Sequence, residues 1–203
     1  MTDHDAADIA WMRSLAEEGQ QTPMRGGSIL FGAGLIYGLA ALAHWAAAID
    51  LVPGGGDLIN TVWIGAIVLH LVLVAVISVR LRGQGVRTAA NRASATAWMA
   101  VGLGIFALFA SIFVLGLRVG EDVMIVLGLA PSIIMVFYGL GWAVSAAMGR
   151  SKPLWMLATV SFLAAPVLAA LTGSTWQFLA YAVALFGLMA LPGWQIMRRA
   201  GKA

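Results

Sequence analysis

Two histidines, His44 and His70, are the only residues in the apolar stretches of this 203-residue chain with ligand or proton-transfer potential near neutral pH. One histidine from each of two neighbouring helices is the arrangement that holds a bis-imidazole haem, which would make the chain an electron carrier. Depth speaks against that chemistry. His44 lies five residues from the outer end of its stretch and His70 twelve from the outer end of the next. At about 1.5 Å of rise per residue the two sit roughly 10 Å apart along the membrane normal, whereas the axial ligands of one haem share a level. The expectation is that His44 is an interfacial side chain beside Trp45, that His70 is hydrogen-bonded within the bundle, and that no cofactor is held.

Other chemistries find fewer residues still. The apolar stretches contain no Asp, Glu, Lys or Arg. Charges inside a bilayer mark ion pathways, proton relays and voltage sensors, so their absence argues against a carboxylate-coupled antiporter, a proton pump and a voltage sensor. The chain has no cysteine, which removes disulfides, thiolate catalysis and Cys-ligated metal or iron–sulfur sites. No H-E-x-x-H occurs, no pair of intramembrane aspartates, and no G-x-S-x-G around Ser28, Ser111, Ser132 or Ser161. Gly54-Gly55-Gly56 lacks the lysine of a phosphate-binding loop. No enzymatic activity is expected. Hydroxyls and amides such as Ser132, Ser145, Ser161 and Gln177 either line a route for a neutral solute or serve ordinary helix packing. Pro131, Pro166 and Pro192 fall inside apolar stretches, where a proline frees a backbone carbonyl and bends the axis. Broken helices line substrate sites in many transporters; a packing kink is the plainer reading. His44, His70, Pro131 and Pro166 together form the candidate intramembrane polar site.

The elements that carry these residues follow from composition. At 61% hydrophobic and 10% charged, with mean hydropathy +0.91, the chain cannot cover a water-facing surface, since soluble domains carry about 25% charged residues. The fold class expected is all-α and polytopic. Six stretches without Asp, Glu, Lys or Arg are long enough to cross a bilayer: about 28–49, 58–79, 94–117, 123–148, 154–171 and 176–197. Residues 1–25 then form an N-terminal segment and 26–203 a six-helix bundle.

Charge sets the orientation. With the N-terminus in the cytoplasm, that side receives eleven of the twelve Lys and Arg, and the outer side receives Arg118 with Asp50, Asp57, Glu121 and Asp122. Both termini are therefore expected in the cytoplasm. Trp45, Trp63 and Trp176 fall toward the outer interface and Trp98, Trp142, Trp155 and Trp194 toward the inner one, as an aromatic belt predicts. The acids Asp3, Asp5, Asp8, Glu17 and Glu18 precede the first stretch, unlike the basic start of a signal peptide, so that stretch is expected to be retained. Ten arginines against two lysines, with abundant Ala and Gly, suggest a GC-rich bacterium and its cytoplasmic membrane.

Residues 5–18 read as a short amphipathic helix, with Ile9, Met12 and Leu15 on one face and Trp11 on its flank. Five acids against one arginine in residues 1–22 rule out attraction to anionic lipid. Its natural counterpart is basic: either the loop carrying Arg80, Arg82, Arg87 and Arg92, or a cytoplasmic protein. Gly34 and Gly38 form a G-x-x-x-G pair suited to packing inside the chain or to a homo-oligomer seam. Tyr37-Gly38-Leu39 recurs as Tyr138-Gly139-Leu140, a match that chance explains in so narrow an alphabet. No feature points to nucleic acid, and the lipid bilayer is the one certain partner. Two functions remain open: a membrane interaction, regulatory or assembly protein acting through its cytoplasmic face, or passage of a small neutral solute.

Overall fold

The computed structural model of the chain describes residues 26–53, 55–80 and 89–200, with side chains through 198. Every regular element among them is helical. The backbone dictates this, because a bilayer core offers no water to unpaired N–H and C=O groups and a long apolar run must close its own hydrogen bonds. Six helical stretches are long and apolar enough to cross: Gly27–Ala48, Gly55–Arg80, Ala89–Gly128, Ala130–Gly149, Lys152–Ala170 and Trp176–Arg198. The chain is a multi-pass membrane protein.

The third and fourth crossings divide differently from the hydropathy pattern. Helix Ala89–Val119 runs 31 residues, about 46 Å. A 3-10 turn at Gly120–Asp122, entered through Gly120 at φ +62°, reverses the chain. Helix Val123–Gly128 then returns along it, with Val123 and Ala130 packed against Ile112. The continuous helix expected over 123–148 is instead broken at Leu129. The Leu129 N–H turns back to Val126 O at 3.1 Å, and Pro131, in the first turn of Ala130–Gly149, has no N–H to continue that tightened turn. Pro131 thus begins a helix, where its fixed φ is favourable, rather than kinking one. A second correction concerns the arginines. Arg80 is the last residue of the second helix and Arg92 lies in the first turn of the third, so both are helical rather than in a loop.

Two helices end in the same way. Asp50 and Arg150 adopt left-handed φ values of 57° and 46°. Leu51 N–H reaches Ala46 O at 2.9 Å and Asp50 N–H reaches Ala47 O at 3.1 Å; Ser151 and Arg150 repeat the pattern onto Ala146 O and Ala147 O. This paired closure satisfies carbonyls that a helix end would otherwise strand.

The first span packs between the second and the sixth, and the fourth between the third and the fifth. Ala41, Met135, Trp142, Ala182 and Leu185 are fully buried at the centre. Without a hydrophobic driving force in lipid, close approach depends on small residues. Gly34 meets the Ala190 backbone of the sixth span, and Gly38 leaves room for the Phe186 ring. The Gly34/Gly38 strip is therefore covered within the chain, the first of the two packings expected of it. The second span fully buries only Ala66, and the third only Ser94, Val101 and Ile112; Trp63, Trp98, Ile105 and Leu108 pack against the core, while many of the other apolar side chains on these spans are exposed, as lipid contact requires.

Candidate functional site

The largest polar–aromatic cluster grows from a seven-residue spacing on two antiparallel helices. Tyr37 and His44 stand two turns apart on the first span, Trp63 and His70 two turns apart on the second. Antiparallel packing sets Tyr37 opposite His70, with ring centroids 5.3 Å apart, and His44 opposite Trp63. The Trp63 indole N–H donates to His44 Nδ1 at 3.0 Å, so that nitrogen carries no proton and the ring's proton sits on Nε2. Phe178 of the sixth span stacks on the His44 ring with centroids 3.5 Å apart. His44 thus joins three spans. His70 Nδ1 is buried without a hydrogen-bond partner, contrary to the expectation that the bundle satisfies it. The two imidazoles meet different rings two turns apart and do not face a shared centre.

Tyr138 and Tyr181 belong to the central cluster, Tyr37 packs against it, and the three phenols lie close enough to interact electrostatically. Beside them, the Trp98 indole N–H donates to Ser145 Oγ at 3.2 Å, and the Trp98 and Trp142 rings meet edge to face at 4.9 Å.

Most other polar side chains act as joints. Pro192 has no N–H, and in an α register it would leave Leu188 O unpaired. The fully buried Trp142 donates its indole N–H to that oxygen at 3.1 Å, and a π-helical turn at Phe186–Ala190 widens the helix just ahead of the proline. A similar joint serves the break at Leu129. In the tightened register there, Pro131 would be the next donor to Gly128 O. Gln177 Nε2 takes its place at 2.7 Å and also donates to Leu168 O at 3.1 Å. Ser132 donates to Ala165 O at 2.7 Å, tying the fourth span to the fifth.

These joints relocate the sequence-predicted residues. Pro131 is buried and Pro166 is exposed on the outer face of its helix, so the two do not line one cavity, and neither meets His44 or His70. Trp63, Trp98 and Trp142 are hydrogen-bonded inside the bundle instead of standing in a belt, while Trp155, Trp176 and Trp194 are exposed as a belt requires. Ile9, Trp11, Met12, Leu15, Arg82 and Arg87 lie outside the described residues. Tyr37, Trp63 and Phe178 were not singled out as site residues from sequence; the matched seven-residue spacing of Tyr37/His44 and Trp63/His70 is the signal that points to the first two.

Charge separates the two ends of the bundle. Arg80, Arg92, Arg150, Lys152 and Arg198 gather at the end where the first span starts and the sixth finishes. Asp50, Asp57, Glu121 and Asp122 gather at the other with Arg118. No ion pair forms among the described residues. Comparisons with protein-family models, curated proteins and solved structures return no match.

Proposed function

We propose that the chain is a non-enzymatic membrane interaction or assembly protein that works through its basic end. The observation that carries this reading is the division of polar groups. Ser132 and Gln177 are consumed by joints between helices and Ser145 and Ser161 by carbonyls of their own helices, whereas five cations at one end have no acidic partner among the described residues. The acidic segment 5–18, with Ile9, Met12, Leu15 and Trp11 as its apolar contacts, is the intramolecular complement, and a cytoplasmic protein competes with it for Arg80, Arg82, Arg87 and Arg92. Exposed ion pairs contribute only about 0.2–1 kcal/mol each, which keeps such a contact reversible and salt-sensitive. The setting is a bacterial cytoplasmic membrane with both termini inside. Deleting residues 2–20 should leave the bundle folded and monodisperse while abolishing recovery of a soluble partner. Recovery of no partner by the wild type, or unfolding of the deletion, overturns the reading.

A second reading, passage of a neutral solute, is supported by one observation. The first and fourth spans hold equivalent places between their neighbours, each carries Tyr-Gly-Leu, and Tyr37 packs against the core cluster to which Tyr138 belongs. Three-plus-three repeats of this kind build many transporters. Proteoliposomes should then swell faster than empty vesicles in neutral solutes; equal rates remove this reading.

A further inference from the structure

Where the first and sixth spans cross, glycines bring the backbones together. A Cβ on Gly34 would meet the Ala190 backbone, and one on Gly193 would meet the backbone of Phe31. Helices this close leave their larger side chains standing beside the seam. Phe31, Phe186, Leu191 and Trp194 line a shallow apolar groove of about 360 Å³ over Ala190, open over most of its surface. One turn beyond Trp194, the Arg198 guanidinium lies 4.2 Å from the centroid of the indole ring, a contact that holds the charge at the mouth of the groove.

The dimensions fit one leaflet. Phe186 to Arg198 spans twelve residues, about 18 Å of helix, against about 15 Å for half a hydrocarbon core. With the cation at headgroup level, walls of this length would run through the acyl region of one leaflet. We propose that this groove seats an anionic phospholipid, with one acyl chain along Phe186, Leu191 and Trp194 and the phosphate at Arg198. Volume selects the occupant: an 18 Å length of helix 10–12 Å wide occupies about 1,400–2,000 Å³, whereas an extended hydrocarbon chain is narrow enough. Charge selects the headgroup. Arg198 has no carboxylate partner among the described residues, Arg150 and Lys152 share its end of the bundle, and Arg199 and Lys202 follow it in the sequence. Basic pockets of this kind between spans hold anionic headgroups.

Native mass spectrometry of the purified full chain, offered equal phosphatidylglycerol and phosphatidylcholine with the same acyl chains, tests the assignment. Phosphatidylglycerol should be retained in preference. Arg198→Gln should reduce its retention about fivefold and leave phosphatidylcholine unchanged, and Arg118→Gln at the opposite end should alter neither. Trp194→Ala, which removes a wall, should reduce retention of both lipids, and phosphatidylglycerol with six-carbon chains should bind no better to wild type than to Trp194→Ala. Equal retention of the two lipids, or equal losses in Arg198→Gln and Arg118→Gln, overturns the proposal. So does a dimer that Trp194→Ala dissolves, since a second copy would then occupy the groove.

Discussion

Trp142 and Pro192 show how one residue's deficit becomes another's role. The proline cannot donate to Leu188 O, and the buried indole does so at 3.1 Å. Trp142→Phe keeps the ring but strands that carbonyl, a change expected to cost about 1–3 kcal/mol in thermal unfolding in detergent. Pro192→Ala returns an N–H to the helix, so Trp142→Phe should cost distinctly less in that background. Equal costs in the two backgrounds would mean that the indole does not compensate for the proline. His44 and Trp63 give a smaller case. Trp63→Phe preserves the ring contacts but leaves His44 Nδ1 without its donor, for an expected loss of about 1 kcal/mol; unchanged stability would show the bond to be incidental. These pairings were only half legible in the sequence. Hydropathy assigned Trp63 and Trp142 a level along their spans, but depth alone does not distinguish a headgroup anchor from an indole turned inward. That distinction needs the neighbouring helix's acceptor, which lies 19 residues away for Trp63 and 46 for Trp142.

Whole spans were easier to read than their interruptions. A run of twenty apolar residues must be helical in lipid whatever its neighbours do, so six crossings follow from composition. Gly128-Leu129-Ala130 stays apolar across the break at Leu129, and only Gly128 and Pro131 signalled it. Glycine placement was similarly ambiguous, because close packing and lipid exposure use the same residue. The structure separates the cases. A Cβ on Gly34 would fall on the Ala190 backbone, which cannot yield as a side chain would, whereas one on Gly102 would meet no atom within 4 Å. Gly34→Ala should therefore destabilise the bundle by several degrees or disperse it, while Gly102→Ala should be neutral or gain up to about 1 kcal/mol of helix propensity. Similar melting curves for the two variants would mean that the first and sixth spans do not pack as described. The end of the first helix carries a related expectation. At the left-handed Asp50, Asp50→Gly should be tolerated and Asp50→Val should cost about 1–2 kcal/mol.

Across the whole molecule, the packing and the charge distribution answer different questions. Packing fixes which spans are neighbours but treats the two faces of a bilayer alike; the cations break that equivalence. Six of the seven described Lys and Arg, Arg80, Arg92, Arg150, Lys152, Arg198 and Arg199, share one end, and only Arg118 stands among the four acids of the other. Cytoplasmic loops retain Lys and Arg during insertion because positive segments resist translocation, and acids count for little in that choice. The four links that decide it are short enough for the rule to apply. The expected orientation therefore puts the basic end in the cytoplasm, with both termini on that side because six crossings return the chain to where it began. Reporter fusions at Asp57 and Glu121 should read external, and fusions at Arg87 and Ala203 internal. An internal signal at either acidic link would reverse the molecule. It would also move the basic end, the acidic segment and Arg198 to the outer face, where a cytoplasmic partner could reach none of them.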